Sequence, residues 1–170
     1  MAASGEDFSL TDFFGTFGHS VRPRQDRPLV VHRDELVTLP AGQVPNPSQL
    51  SIAGRLPTTT FEIFRQVIPP GESSDMHRHY HETVHAVLSG SGHSEIEDET
   101  VTWGAGDLVY TPPWTWHRHY NDSTDQPVEF LTIESSRLLA VLGLVRRQSA
   151  GLATVEEARA MYPEEDPGGH

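Results

Sequence analysis

Between Thr58 and Glu134 the chain alternates short β-rich runs with turn signals. The runs are Thr59–Ile68, Thr83–Leu88, His93–Glu97, Thr100–Trp103, Leu108–Thr111 and Val128–Glu134. Pro69-Pro70-Gly71, Ser89 to Gly92, Glu97 to Glu99, Gly104 to Gly106 and Asn121 to Ser123 supply corners between them. Proline presets φ, glycine takes positive φ, and Asn or Asp bonds its own backbone two residues on. Strands this short at this spacing predict an all-β antiparallel sandwich or barrel, and nothing in the stretch carries a helical period.

The flanks read differently, which divides the chain into 1–57, 58–134 and 135–170. The first segment mixes Gly, Pro and Arg with Phe8, Phe13, Phe14 and Phe17, and offers only two strand-like pieces, Leu29–His32 and Glu35–Leu39. So many aromatics predict an arm that packs on the barrel or on a partner subunit. The last segment predicts a short amphipathic helix or a final strand over Ser136–Arg147. Thr154 and Glu157 stand at capping-box spacing and open a helix over Glu156–Tyr162, stopped before Pro163. The polar end, 163–170, reads as disordered. No internal repeat is present, so one barrel unit is expected.

Composition narrows the chemistry. Asp and Glu number 24 against 12 Lys and Arg, a net charge of −12, which disfavours a partner held through its phosphate backbone. The chain has no cysteine, so any metal must take histidine or oxygen ligands. The longest apolar stretch, Leu138–Val145, is too short to span a bilayer, and the acidic N-terminus lacks a signal-peptide core. These features predict a cytoplasmic protein without nucleic-acid or membrane partners.

Seven of the ten histidines fall between His77 and His119. His77 and His79 stand in Gly71-x5-His77-x-His79, and side chains two apart in a strand share a face, so both can grip one ion. His117 stands in Gly106-x5-Pro112-x-Trp114-x2-His117-x3-Asn121 and would close the site from another strand. Isolated strand histidines are usually packing or surface groups; the density and spacing here favour a metal. Imidazole suits Fe, Zn, Cu and Ni, and three protein ligands leave positions open for substrate or dioxygen.

The two patterns resemble the paired motifs of the cupin superfamily, which implies a double-stranded β-helix, or jelly-roll, barrel. The usual first motif carries a glutamate at the position of Thr83 here. Glu82 is adjacent but should face the other way, because one residue along a strand reverses the side chain. Gln66-Val-Ile-Pro-Pro-Gly-Glu72, His77-Arg-His79 and Thr111-Pro-Pro-Trp-Thr-Trp-His-Arg-His119 with Asn121 resemble the gentisate 1,2-dioxygenases and their relatives acting on salicylate and 1-hydroxy-2-naphthoate. Those proteins are bicupins about twice this length, and their substrate-binding arginine falls here on His85. Histidine holds a carboxylate more weakly, and only when protonated.

The resemblance implies Fe(II) on His77, His79 and His117, with Zn, Ni, Mn or Cu as alternatives, and an Fe(II) dioxygenase acting on a hydroxylated aromatic or enolisable acid. Three neutral imidazoles leave the ion its full charge, which favours an anionic, bidentate substrate. His119 and His85 are the expected proton-handling residues, and Gln66, His85, Trp114 and Trp116 the candidate substrate contacts. The two tryptophans read somewhat more readily as core than as cavity walls. His81 shares the parity of His77 and His79, whereas Arg78 and Arg118 read as surface salt-bridge residues. A non-redox metal cupin (isomerase, lyase or cyclase) and a small-molecule-binding cupin without catalysis remain the other readings. A homodimer is expected, with the Phe-rich arm covering an edge strand of its neighbour.

Overall fold

The computed structural model describes residues 28–39 and 46–163. The phenylalanines of the expected arm and nearly all of the polar end, including Glu164-Glu165-Asp166, lie outside the described residues. The strands are β1 (Val37–Thr38), β2 (Gln49–Ile52), β3 (Glu62–Ile68), β4 (His77–His79), β5 (Thr83–Ser89) and β6 (Ser91–Ile96). After these come β7 (Glu99–Gly104), β8 (Leu108–Thr111), β9 (His117–Asn121) and β10 (Val128–Glu134). Helix α1 (Ser136–Val141), strand β11 (Arg147–Ser149) and helix α2 (Val155–Met161) follow.

Two antiparallel sheets face one another as the walls of a cupin barrel. One has six strands in the order β1-β2-β3-β10-β5-β8, the other five in the order β11-β4-β9-β6-β7. Each run expected as a strand forms one, because β-branched and aromatic residues alternate with polar ones and each corner holds its turn residue. Ile68, Val87, Trp103, Val109, Val128 and Phe130 fill the space between the sheets toward one end. The other end is lined by histidines. The tightest approach is at Gly92 on β6, where an added Cβ would sit 2.0 Å from the Tyr120 carbonyl and 2.7 Å from the Trp103 ring. Only glycine lets β9 and the indole come so close.

The flanking segments join the sheets. β2 pairs with β3 from Gln49 opposite Val67 to Ile52 opposite Phe64, and β1 pairs with β2. β11 pairs with β4, Gln148 standing opposite Arg78. Leu29–His32, read from sequence as strand-like, lies outside any strand, and Leu29 is almost fully exposed.

α1 departs from the amphipathic expectation. It buries Ser136 and Arg137 while Leu138, Val141 and Leu142 stay exposed. The anchor is polar: Arg137 donates to Glu62 Oε2 at 2.6 Å and Oε1 at 3.0 Å, and to the Leu56 and Thr58 carbonyls. A planar guanidinium can satisfy that many acceptors at once, which no leucine stripe could do. α2 follows its sequence signal, with the Thr154 and Glu157 capping box formed. Its Ala158 packs with Met76 and Trp116 on the outer face of the smaller sheet.

Candidate metal centre

β4 and β9 run side by side with His77 opposite His117. That register, together with the two-residue repeat of β4, brings three imidazoles to one point. Ring centroids lie 4.2 Å apart for His77 and His117, 4.8 Å for His79 and His117, and 5.4 Å for His77 and His79. One ring nitrogen from each lies within 4.8 Å of the others, a group able to hold a metal ion. His79 and His117 are buried, and His77 is slightly more open.

Each ring is held by its other nitrogen. Nδ1 of His77 lies 3.0 Å from the Asp75 carbonyl, that of His79 2.7 Å from the His81 carbonyl, and that of His117 2.8 Å from the Thr115 carbonyl. A carbonyl oxygen can only accept, so the proton sits on Nδ1 and the Nε2 lone pair is left free, the tautomer that binds a metal. Nε2 of His117 is buried with no protein partner, as an unfilled ligand position would be. Burial holds the His79 and His117 rings neutral: His79 is pushed down to about 2, and His117 well below the usual histidine value, by desolvation first and then by neighbouring rings. The donor set therefore fits a divalent ion of the late first row.

Two carboxylates that the motif spacing did not single out, one buried and one half-buried, frame the site. Asp75 Oδ1 is 3.2 Å from His77 Nδ1, and Oδ2 accepts from Arg147 at 2.6 Å and Ser149 at 2.7 Å. Burial pushes its acid up, but His77, Arg147 and Ser149 together outweigh that and hold it well below the ordinary range. Glu134 Oε2 lies 3.2 Å from His81 Nε2, and the His81 ring stacks on His79 at 3.7 Å. Here too burial raises the acid, and His81, with smaller contributions from other neighbours, brings it down to about 2. The signal for both was parity, since Asp75 precedes His77 and His79 by even steps and Glu134 follows Phe130 and Thr132 in the same way.

Thr83 stands buried at the motif's glutamate position, while Glu82 is exposed and accepts a hydrogen bond from Tyr110. Further inside, His85 and His119 lie 4.4 Å apart and border Phe130. His85 Nδ1 meets Thr132 Oγ1 at 2.9 Å, and both histidines have a buried Nε2 without a partner. Gln66 is buried and donates to Ser48 Oγ at 2.8 Å.

Trp114 and Trp116, expected as candidate cavity walls, correct that expectation. They lie on the other face of the sheet, with the Arg78 guanidinium 4.3 Å from one ring centre and 4.8 Å from the other. Trp116 is fully buried in the α2 packing, so strand parity sends it away from His117. Arg78, read as a surface residue, is only 5% exposed for the same reason: β11 and α2 cover that face. A cavity of about 360 Å³ opens there, lined by Arg78, Trp114, Arg146 and Tyr162 among others, on the face of β4 opposite the histidine cluster.

Residues 64–134 match the family model for the cupin domain. Gentisate 1,2 dioxygenase 1 of Aquipseudomonas alcaligenes is 42% identical over 72 residues, which are 42% of this chain and 20% of that protein. The 5-aminosalicylate 1,2-dioxygenase of Comamonas sp. is 34% identical over 84 residues, 49% of this chain and 22% of that protein. The matched stretch thus spans about a fifth of these curated relatives. Among solved structures, the salicylate 1,2-dioxygenase of Pseudaminobacter salicylatoxidans superposes with a TM-score of 0.59 at 17% identity, covering 66% of this chain and 33% of that one. A cupin 2 conserved barrel domain protein from Rhodopseudomonas palustris gives 0.51 at 20% identity, covering 59% of this chain and 72% of that one. At those identities the structural likeness speaks for the fold alone. Over residues 64–134 the chain thus matches the cupin domain and resembles the 1,2-dioxygenases of gentisate and 5-aminosalicylate.

Proposed function

We propose that this chain is a metal-dependent cupin dioxygenase that uses Fe(II) and acts on a hydroxylated aromatic or enolisable acid. The observation that carries this reading is the convergence of His77, His79 and His117, each with Nδ1 engaged by a carbonyl and none with a carboxylate beside it as a further ligand. The likeness to gentisate and 5-aminosalicylate dioxygenases supports the reaction class. Bound Fe(II) would supply dioxygen activation at positions the three ligands leave open. Three neutral imidazoles do not offset the ion's charge, so the site favours a substrate that chelates as an anion.

The chain's own groups divide the remaining tasks. Asp75 steadies His77, and the His81–Glu134 pair backs His79. His85 and His119 lie beside Phe130 in the interior between the sheets and would be the groups nearest at hand to hold or move a proton for a substrate bound there. His85 stands where the resemblance expects an arginine, which favours an enolisable or phenolic substrate over one gripped through a free carboxylate. Leu88, Leu108, Tyr110 and Ile133 are exposed together on the outer face of the larger sheet, which supports a homodimer.

Metal analysis of protein purified without added metal, followed by oxygen uptake with ortho-hydroxylated aromatic acids and β-diketones, tests this reading. Oxygen consumption that depends on Fe(II) is expected. Turnover of the same compounds under argon would instead establish a non-redox isomerase, lyase or cyclase, and gel filtration decides the oligomer.

A further inference from the structure

His119 shares its strand face with His117 but is held by a different kind of partner. Its Nδ1 lies 2.7 Å from Ser94 Oγ, and that same oxygen accepts from Trp103 Nε1 at 2.8 Å. An indole nitrogen can only donate, so one lone pair of the serine is occupied. Ser94 is fully buried, and its hydroxyl hydrogen is satisfied by His119 Nδ1 when that nitrogen accepts; were Nδ1–H to donate to the second lone pair, the hydroxyl hydrogen would lose that partner, so the accepting form is favoured. The ring proton is left on Nε2, which is fully buried, lacks a protein partner, and belongs to the ring lying 4.4 Å from His85 and 5.7 Å from His117. His77, His79 and His117 present lone pairs to the cavity; His119 presents a hydrogen.

We propose that the Trp103–Ser94 relay fixes His119 as a hydrogen-bond donor and makes it a specificity-determining residue for substrates bearing an uncharged acceptor oxygen, such as a ketone, ester or amide carbonyl. The choice of an uncharged group follows from the surroundings. Phe130 borders both His85 and His119 at 5.4 and 5.7 Å, and a single N–H beside an apolar ring satisfies a carbonyl. A buried carboxylate would need a paired charge and more donors than one ring supplies. This places the substrate by the proposed metal site and otherwise stands on the relay alone. Trp103 and Ser94 are positioning residues, since neither presents a free polar atom to the cavity.

The test begins with the full chain labelled with ¹⁵N-histidine, examined by long-range ¹H–¹⁵N correlation without metal and with Zn(II). The Nε2–H form of His119 is expected in both samples. Trp103→Phe keeps the ring but removes the donor and should give a mixture of tautomers. Ser94→Ala should do the same, and circular dichroism confirms that each variant is folded. An Nδ1–H His119 in the parent chain, or a tautomer unchanged in both variants, overturns the relay whether or not metal binds.

The specificity arm uses the Zn(II)-loaded protein with 3,4-dihydroxyacetophenone and 4-ethylcatechol, which share a chelating end and differ in one carbonyl. The ketone's advantage should fall about twofold in Trp103→Phe for an even mixture of tautomers, in proportion to the fraction of chains that no longer hold the Nε2–H form. A ratio the substitution leaves untouched overturns the specificity role. Failure of Zn(II) or either catechol to bind at all would count against the metal reading and against the donor's substrate role together, while the tautomer result would still judge the relay.

Discussion

Glu134 stands directly opposite Thr83 in the pairing of β10 with β5, so the half-buried carboxylate at this corner comes from the last barrel strand and not from the motif position. It is taken up by His81 at 3.2 Å. That pairing keeps a negative group close to the site without making it a ligand. Glu134→Gln should cost about 1–3 kcal/mol of stability, the usual consequence of weakening a half-buried charge-assisted bond, and should leave one metal per chain. Denaturant melts and metal analysis of the variant decide it; loss of metal would show that the carboxylate binds the ion.

Asp75 would act on a bound ion through His77. Asp75→Asn removes the charge facing Nδ1 while keeping the side chain's shape. Metal affinity should fall about 10- to 100-fold, as for other partners that orient a ligating histidine. Competition against a chromophoric chelator measures it, with unchanged affinity as the contrary outcome.

Trp116 is placed as packing, since it is buried with Met76 and Ala158. Trp116→Ala should destabilise by about 3–5 kcal/mol, typical of a large aromatic removed from a core. Metal content of the protein that remains folded should be unchanged. A variant of normal stability with altered substrate preference would return the residue to the cavity.

Arg137 and Glu62 form a buried ion pair that joins α1 to β3. Glu62 already feels burial as the dominant influence on its acid, which is raised despite the guanidinium. Arg137→Ala leaves that carboxylate uncompensated and should cost about 3–5 kcal/mol, whereas a double replacement by apolar residues should recover much of it. Urea midpoints of the single and double variants test the order.

Acid should unfold the metal-free protein early. His79 and His85 have folded values of about 2 and about 3, and those of His117 and His119 are also lowered. Below the unfolded histidine value of about 6.5 the unfolded chain binds protons that the folded chain refuses, so stability falls as pH falls. Each such group contributes a slope of about 1.4 kcal/mol per pH unit. Asp75 and Glu134, both depressed, add further loss from about pH 4 downward. Fluorescence-monitored unfolding against pH should show a steep decline starting near neutrality, and a flat profile down to about pH 5 would contradict it.

Much of this arrangement was legible in the residues. The six β-runs, the α2 capping box and the shared face of His77 and His79 follow from local rules (alternation, turn chemistry and two-residue spacing), while His117 was added to them by the motif resemblance. Parity made Glu82 a poor candidate ligand without excluding it, and the structure leaves its side chain exposed. What local rules could not reach were contacts between segments distant in sequence. The strand β11 is polar and three residues long, and it exists because β4 offers it an edge. Arg78 looked like surface until that strand and α2 covered it.

The pattern of the chain by itself determined an all-β barrel with His77 and His79 on one shared face, because side-chain direction in a strand is a local property. Tertiary structure alone decided what each imidazole can do. Carbonyls of Asp75, His81 and Thr115 meet three rings, and a serine tied to an indole meets His119. The position of a proton on a ring depends on what lies across from its far nitrogen, and for His119 that neighbour comes from another strand.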